Sequence, residues 1–305
     1  MRDAFIKSLI ELAEKDDRIA LLTGDLGFGV VEKFADKFPD RFWNCGVAEQ
    51  SMMSIAAGLA KSGMRPFVYS IANFPTFRCL EQIRNDVCYH DLPVTIVSVG
   101  GGLGYGTLGY THHGIEDIAA MRALPNISIY SPSDPSETNQ VLAQSHKNGK
   151  PAYIRLGKNG EPNISANSSK EIAGSVRELT LGTDLTILAS GAVTENCTQA
   201  AKSLSADHSI QVISIPRIQP LEVEFLKDLI TSQKVLVVEE HVERGGLAAS
   251  ILENFNKAKV ELRFEHLYVK ESQINQIGSQ DYLRSLSGLD VLSLIATCKE
   301  MLSES

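Results

Sequence analysis

Cysteine is scarce and placed for no covalent or metal framework. Cys45, Cys79, Cys88, Cys197 and Cys298 form an odd set with no C-x-x-C spacing. This argues against a disulfide scaffold or a cysteine-ligated zinc site and fits a reduced, cytoplasmic setting. Positive charge is also short: 29 Lys and Arg stand against 37 Asp and Glu, a net charge of −8, with no dense basic tract. A nucleic-acid or anionic-membrane surface is therefore not expected, although a local basic pocket for a small anion is still allowed. Long apolar runs are missing too. Nothing approaches the ~18–20 residues of a membrane span, and the start MRDAFIKSLIELAEKDD reads as an amphipathic helix rather than a signal peptide. No short-period repeat is present. The expected partners are a small molecule or another protein.

What is there suits a globular α/β protein. The chain has 305 residues, 43% hydrophobic and 22% charged, enough for two domains at roughly 100–200 residues each. Runs such as RIALLTG, RPFVYS, LPVTIVSVG, NISIYSPSD and PAYIRLG alternate with helical patterns at EQSMMSIAAGLAKSG, RCLEQIRNDVCYH and IEDIAAMRAL. That alternation predicts a mostly parallel, doubly wound sheet covered by helices on both faces. Residues 159–180, polar and rich in Asn and Ser, read as a linker or surface crossing. The alternation resumes with DLTILAS, IQVISI, KVLVVEEH and GGLAASILENF. The expected organisation is one domain over 1–165 and a smaller α/β domain over 178–305.

The stretch GVAEQ, residues 46–50, places a glutamate at the start of an apolar helical run. Taken alone, it is explained by the preference of carboxylates for helix N-termini. Taken with FPTFRCLEQIRND and GYTHHGIEDIAAMRALPNISIYSPSD further on, it resembles the pyrimidine-binding domain of transketolase, and the second unit resembles the transketolase C-terminal domain. The resemblance covers nearly the whole chain. Its order and spacing carry it, each piece alone being weak.

The resemblance implies thiamine diphosphate as cofactor. That cofactor reacts at a thiazolium carbon whose weakly acidic proton is removed by the cofactor's own amine, which is basic only in its imino tautomer. A carboxyl hydrogen-bonded to the pyrimidine nitrogen drives the tautomer, best in an apolar setting that raises its pKa. Glu49, beside Val47, Met52 and Met53 in sequence, matches the family's glutamate. Phe74 or Phe77 matches the aromatic ring stacked on the aminopyrimidine; either is also an ordinary core residue type. Asp25 and Leu26 in TGDLGFG resemble the family's ADL beside the cofactor, or else form a strand-end turn. His112 in YTHHG fits the family's THQ, whose histidine exchanges protons with the bound substrate. His113 stands where Gln or Glu is usual and is a weaker candidate.

The family's GDG followed by an Asn, which holds the diphosphate through a metal ion, is absent from these residues. The chain therefore looks like half of a divided transketolase. A separate N-terminal transketolase-like subunit would supply the ligands for Mg2+ or Ca2+ and the diphosphate, in an α2β2 heterotetramer. At the substrate end Leu108 replaces an aspartate that reads a sugar hydroxyl, and Gly100 replaces a histidine, which puts ordinary pentose phosphates in doubt. Arg2 matches a phosphate-binding arginine, Lys158 stands in for another and Gly29 replaces a serine, so anion recognition would persist in altered geometry. As solvated charges, Arg2 and Lys158 need no such role. The expected activity is transfer of a two-carbon ketol unit from a ketose to an aldehyde, on an atypical sugar. Alternatives are the β subunit of a 2-oxo-acid dehydrogenase and a catalytically silent regulatory paralogue.

Overall fold

The computed structural model of the protein describes residues 1–164 and 176–303. Twelve strands are found among them: β1 (Ile19–Thr23), β2 (Phe42–Asn44), β3 (Arg65–Ile71), β4 (Thr95–Val99), β5 (Ser128–Tyr130), β6 (Ala152–Leu156), β7 (Arg177–Thr180), β8 (Leu185–Ser190), β9 (Ile210–Ser214), β10 (Arg217–Gln219), β11 (Lys234–Glu239) and β12 (Arg263–Leu267). They form two sheets, ordered β10-β5-β6-β4-β3-β1-β2 and β12-β11-β8-β9-β7. Within each, the pairs are parallel except for an edge strand: β10 runs antiparallel to β5, and β7 antiparallel to β9. Central strands such as TIVSV and LTILAS are buried at every position, the signature of parallel strands covered on both faces.

Two details differ from the expectation. The end of the polar stretch read as linker, Arg177–Thr180, is an edge strand of the second sheet; residues 165–175 of that stretch lie outside the described residues. And β10, from the second half of the chain, closes an edge of the first sheet. Three-residue strands carry too little alternation to be read from sequence.

Helix ends follow local chemistry. In the helix Pro135–Asn148, Asp134 accepts the Glu137 N–H at 2.8 Å, Pro135 opens the first turn and the Glu137 carboxylate reaches back to the Ser133 N–H at 2.8 Å. Gly149 ends it in the left-handed region at φ 62°.

The two halves share one continuous apolar core, in which Ile118, Met121 and Ile129 belong to the same cluster as Ile215, Ile218 and Leu247. A polar seam crosses the same boundary. The Asp117 carboxylate takes the Tyr153 hydroxyl and sits 3.1 Å from Arg155 Nε. Arg155 donates to the Glu240 carbonyl at 2.6 Å, and Arg284 Nε meets the Glu240 carboxylate at 2.9 Å. Gln280 donates to the same carboxylate at 3.0 Å. His241, fully buried, accepts the Ala119 N–H on Nε2 at 3.3 Å and lies with Nδ1 2.8 Å from the Val242 carbonyl, an arrangement that suits a neutral ring.

Candidate active site

The loops that leave the C-terminal ends of β1, β2, β3, β4 and β6 carry Asp25, Gly46, Phe74, Tyr105 and Lys158 in turn. This is the end at which open parallel sheets place their ligands. Glu49 opens the helix Glu49–Lys61 directly after the β2 loop and is 2% exposed. Gly24 makes room for it: a Cβ there would meet the Glu49 side chain at 3.3 Å.

The surroundings of Glu49 differ from those expected. Val47 is 74% exposed and turns outward, while Met52 and Met53 enter the core as the helix winds. Instead the carboxylate meets a cation, with Arg78 Nη1 2.8 Å from Glu49 Oε2. The same guanidinium lies over the Phe74 ring at 4.5 Å from its centroid. Phe74 in turn meets the edge of His112, ring centroids 5.3 Å apart at 68°, and His112 faces the edge of Tyr105 at 6.5 Å. Lys158 Nζ lies 5.1 Å from the Tyr105 ring centroid. Glu49, Arg78, Phe74, His112, Tyr105 and Lys158 thus form one continuous contact chain, built from four separate segments of sequence.

Arg78 and Tyr105 were not singled out from sequence. Arg78 sits within FPTFRC and gave no signal of pairing with a residue 29 positions earlier. Tyr105 follows a glycine-rich stretch, and Gly100 explains its place: at φ 78° a Cβ on Gly100 would run into the Tyr105 ring. The tyrosine ring fills the space beside Gly100 that a larger side chain would take. Burial pushes the Tyr105 hydroxyl up, and the nearby Arg2 guanidinium pulls in the opposite direction. Arg2 is half-buried, and its Nε has no hydrogen-bond partner.

Other candidates fall at varying distance from this chain. Asp25 adopts φ 56° and exchanges two 3.0 Å hydrogen bonds with Asn44, whose Oδ1 also takes the Gly46 N–H at 3.0 Å. Asn44 therefore ties the Asp25 turn to the turn that launches Glu49. Aspartate tolerates this left-handed conformation better than most residues, and the Asn44 clamp holds it there. Leu26 packs on the first-sheet core, its carbonyl taking the Thr23 hydroxyl at 2.8 Å. Phe77, 41% exposed, and Leu108, 51% exposed, lie at the surface. His113 is sealed beneath the loop; burial pushes its pKa down, against the pull of a hydrogen bond with the Gly106 backbone. Cys79, behind Phe74, is inert: burial, and then the Glu49 charge, push its thiol up to about 12. Among the described residues no cluster of three or more His, Cys, Asp or Glu is placed to hold a metal, and no helix is long and apolar enough to cross a membrane.

Comparison with known proteins agrees with the fold. The family described as transketolase, pyrimidine binding domain, matches residues 1–161, and transketolase, C-terminal domain, matches residues 174–293. The chain is 36% identical over 267 residues to an apulose-4-phosphate transketolase subunit of Phocaeicola vulgatus, covering 86% of this chain and 85% of the relative. It is 30% identical over 305 residues to the 6-deoxy-6-sulfo-D-fructose transketolase subunit SqwH of Clostridium sp. (strain MSTE9), covering 99% and 94%. It is also 35% identical to the 1-deoxy-D-xylulose-5-phosphate synthase of Aquifex aeolicus over 94% of this chain, but spans only 46% of that protein. A solved structure described as a split gene transketolase, inactive β4 tetramer, superposes with a TM-score of 0.89 at 31% identity, covering 99% of this chain and 98% of the other.

Proposed function

The chain belongs to the transketolase family, and from that premise we propose that it is the pyrimidine-binding subunit of a divided, thiamine diphosphate-dependent transketolase. The enzyme moves a two-carbon ketol unit from a ketose to an aldehyde. One observation carries the reading: a buried carboxylate, an aromatic face and an imidazole share one opening, and a flat cation already lies across the first two. A protonated aminopyrimidine is a flat cation of the same kind, so the residues fit the cofactor.

When bound, thiamine diphosphate supplies an electron sink at its thiazolium carbon. Glu49 holds the proton at the pyrimidine ring nitrogen and so makes the exocyclic amine basic. Phe74, rather than the exposed Phe77, carries the ring; Phe77 forms the rim. Asp25 and Leu26 line the turn beside it. His112 moves a proton to or from the substrate oxygen. The diphosphate and Mg2+ or Ca2+ are held by an N-terminal transketolase-like partner subunit, the cofactor lying between the chains.

For the substrate, Tyr105 packed beside Gly100 and the exposed Leu108 present a wall with few partners for sugar hydroxyls. Arg2 and Lys158 bracket Tyr105 and offer positive charge to a phosphate or sulfonate. His113 is the weaker substrate candidate, since substrate reaches it only if the loop opens. An atypical sugar agrees with relatives named for apulose 4-phosphate and sulfofructose. Those names also favour transketolase over a 2-oxo-acid dehydrogenase subunit.

The assembly is an α2β2 heterotetramer in the cytoplasm, its chain divided at 1–165 and 178–305. The outward face of the helix Glu49–Lys61, with Ser51, Ser54, Ile55 and Gly58, is exposed and built mostly of small residues, a surface that permits close approach of another helix. The test is reconstitution with the diphosphate-binding subunit. Ketol transfer that requires both chains, thiamine diphosphate and a divalent metal is expected. Turnover by neither chain nor mixture would leave the silent paralogue. Micromolar, magnesium-dependent cofactor affinity in the isolated chain would contradict the divided site.

A further inference from the structure

The Glu49–Arg78 pair joins a buried carboxylate to a half-exposed cation. The Glu49 side chain is 1% exposed, that of Arg78 44%. Arg78 is the hydrogen-bond partner found for this buried carboxylate, and its guanidinium lies over the Phe74 ring, which also makes a T-shaped contact with His112. Guanidinium and a protonated aminopyrimidine share their recognition chemistry. Both are planar, spread one positive charge over an N–C–N unit, donate N–H to a carboxylate and stack on aromatic rings. Two flat cations cannot lie on the same face of Phe74 at once.

We propose that Arg78 is a built-in occupant of the aminopyrimidine site: it holds the place of the cofactor's pyrimidine on Glu49 and Phe74, and the pyrimidine enters only by displacing it. The inference rests on the cofactor reading above. Physically, the arrangement compensates Glu49 in the empty chain, where a buried carboxylate without a partner would be costly. The exposed position of Arg78 keeps that compensation weak and exchangeable, because its charge can move to water. Arg78 thereby sets the affinity of the subunit for the pyrimidine half of its cofactor and touches neither the diphosphate nor the substrate.

The test uses the full-length chain and 4-amino-5-hydroxymethyl-2-methylpyrimidine, a probe that carries no diphosphate and needs no partner subunit. Binding is followed by saturation-transfer NMR and by calorimetry. Relative to the unaltered chain, Arg78→Ala is expected to tighten the dissociation constant by about tenfold, the equivalent of removing one competing, partly exposed ion pair. Arg78→Lys, which keeps the charge but loses the flat face, is expected to fall between the two. Glu49→Gln combined with Arg78→Ala is expected to abolish the gain. Unchanged or weaker binding by Arg78→Ala, with binding weaker again in the combined Glu49→Gln and Arg78→Ala variant, would overturn the occupant role and leave the cofactor reading standing. Binding indifferent to Glu49, or absent from every variant, would overturn both.

Discussion

Among the described residues, buried carboxylates meet arginines in two places, and their surroundings set them apart. In the seam between the halves, Glu240 and Arg284 are 4% and 7% exposed, Gln280 adds a further hydrogen bond, and the neighbouring Asp117–Arg155 pair is as deeply enclosed. Burial pushes the Glu240 carboxyl up, but the Arg284 charge and hydrogen bonds outweigh it and hold it below its ordinary range. At the strand ends, Glu49 is just as buried, yet its one arginine is half in water. The first pair can release neither member without stranding the other in a dry interior. The second can return Arg78 to water, and what it then lacks is only a cation for Glu49, which an incoming flat cation replaces. Charge pairing alone therefore does not identify a site; the exposure of the partner distinguishes a fastening from a place-holder.

The largest effect that would sharpen this contrast is structural. Arg284→Met leaves Glu240 buried without its cation and should cost about 3–5 kcal/mol, read as a lowered urea midpoint. If the midpoint hardly moved, the seam would be no more binding than the strand-end pair. Next comes Glu49→Gln, which keeps size and hydrogen bonding but cannot share a proton with the pyrimidine. Turnover of the reconstituted enzyme should fall by about 10²-fold or more while cofactor affinity changes modestly. Hydrogen–deuterium exchange at the thiazolium carbon of bound cofactor reads this before any substrate is known; unchanged exchange would remove Glu49 from the chemistry.

A pH dependence follows for the seam. Burial, with the Arg155 charge beside it, holds His241 below its ordinary value, against the pull of Glu239 and Asp117. Unfolded, the ring takes a proton near pH 6.5; folded, it resists until lower pH. The unfolded chain then binds more protons, so this contribution is complete above about pH 6.5 and is lost as pH falls through the window below it, by up to about 1.4 kcal/mol per unit. His113 acts in the same direction. Urea midpoints at pH 7.5 and 5.5 check it, and His241→Gln should flatten the difference. The smallest effect belongs to Arg78→Ala, expected to lower the urea midpoint by less than Arg284→Met does, because Arg78 itself is half in water. A loss as large as that of Arg284→Met would erase the distinction between the pairs.

Much of the framework was legible because parallel strands buried on both faces are written as unbroken apolar runs, as in TIVSV and LTILAS. Glu49, Phe74 and His112 entered the candidate set through motif order and spacing, and the fold brings those three within one contact chain. Arg78 and Tyr105 escaped because their significance lies in what the fold sets against them: a glutamate from another strand loop, and a glycine whose missing side chain only tertiary structure can fill. Asn44 escaped similarly, its clamp on Asp25 spanning two adjacent parallel strands. Between Phe74 and Phe77, sequence offered no choice. Phe77 is the more exposed, and the Arg78 cation lies over Phe74, which is why the proposed reading takes Phe74.

The closing of the first sheet by β10 sets a timetable for synthesis. The ribosome finishes β6 about 60 residues before it finishes β10, roughly 3–12 s at about 5–20 residues per second. Throughout that interval the outer edge of β5 has no neighbour and presents free N–H and C=O groups to any other extended segment. The nascent first half therefore waits with a raw β5 edge and with part of the shared core uncovered, and the chain that closes both has to come from the half not yet made.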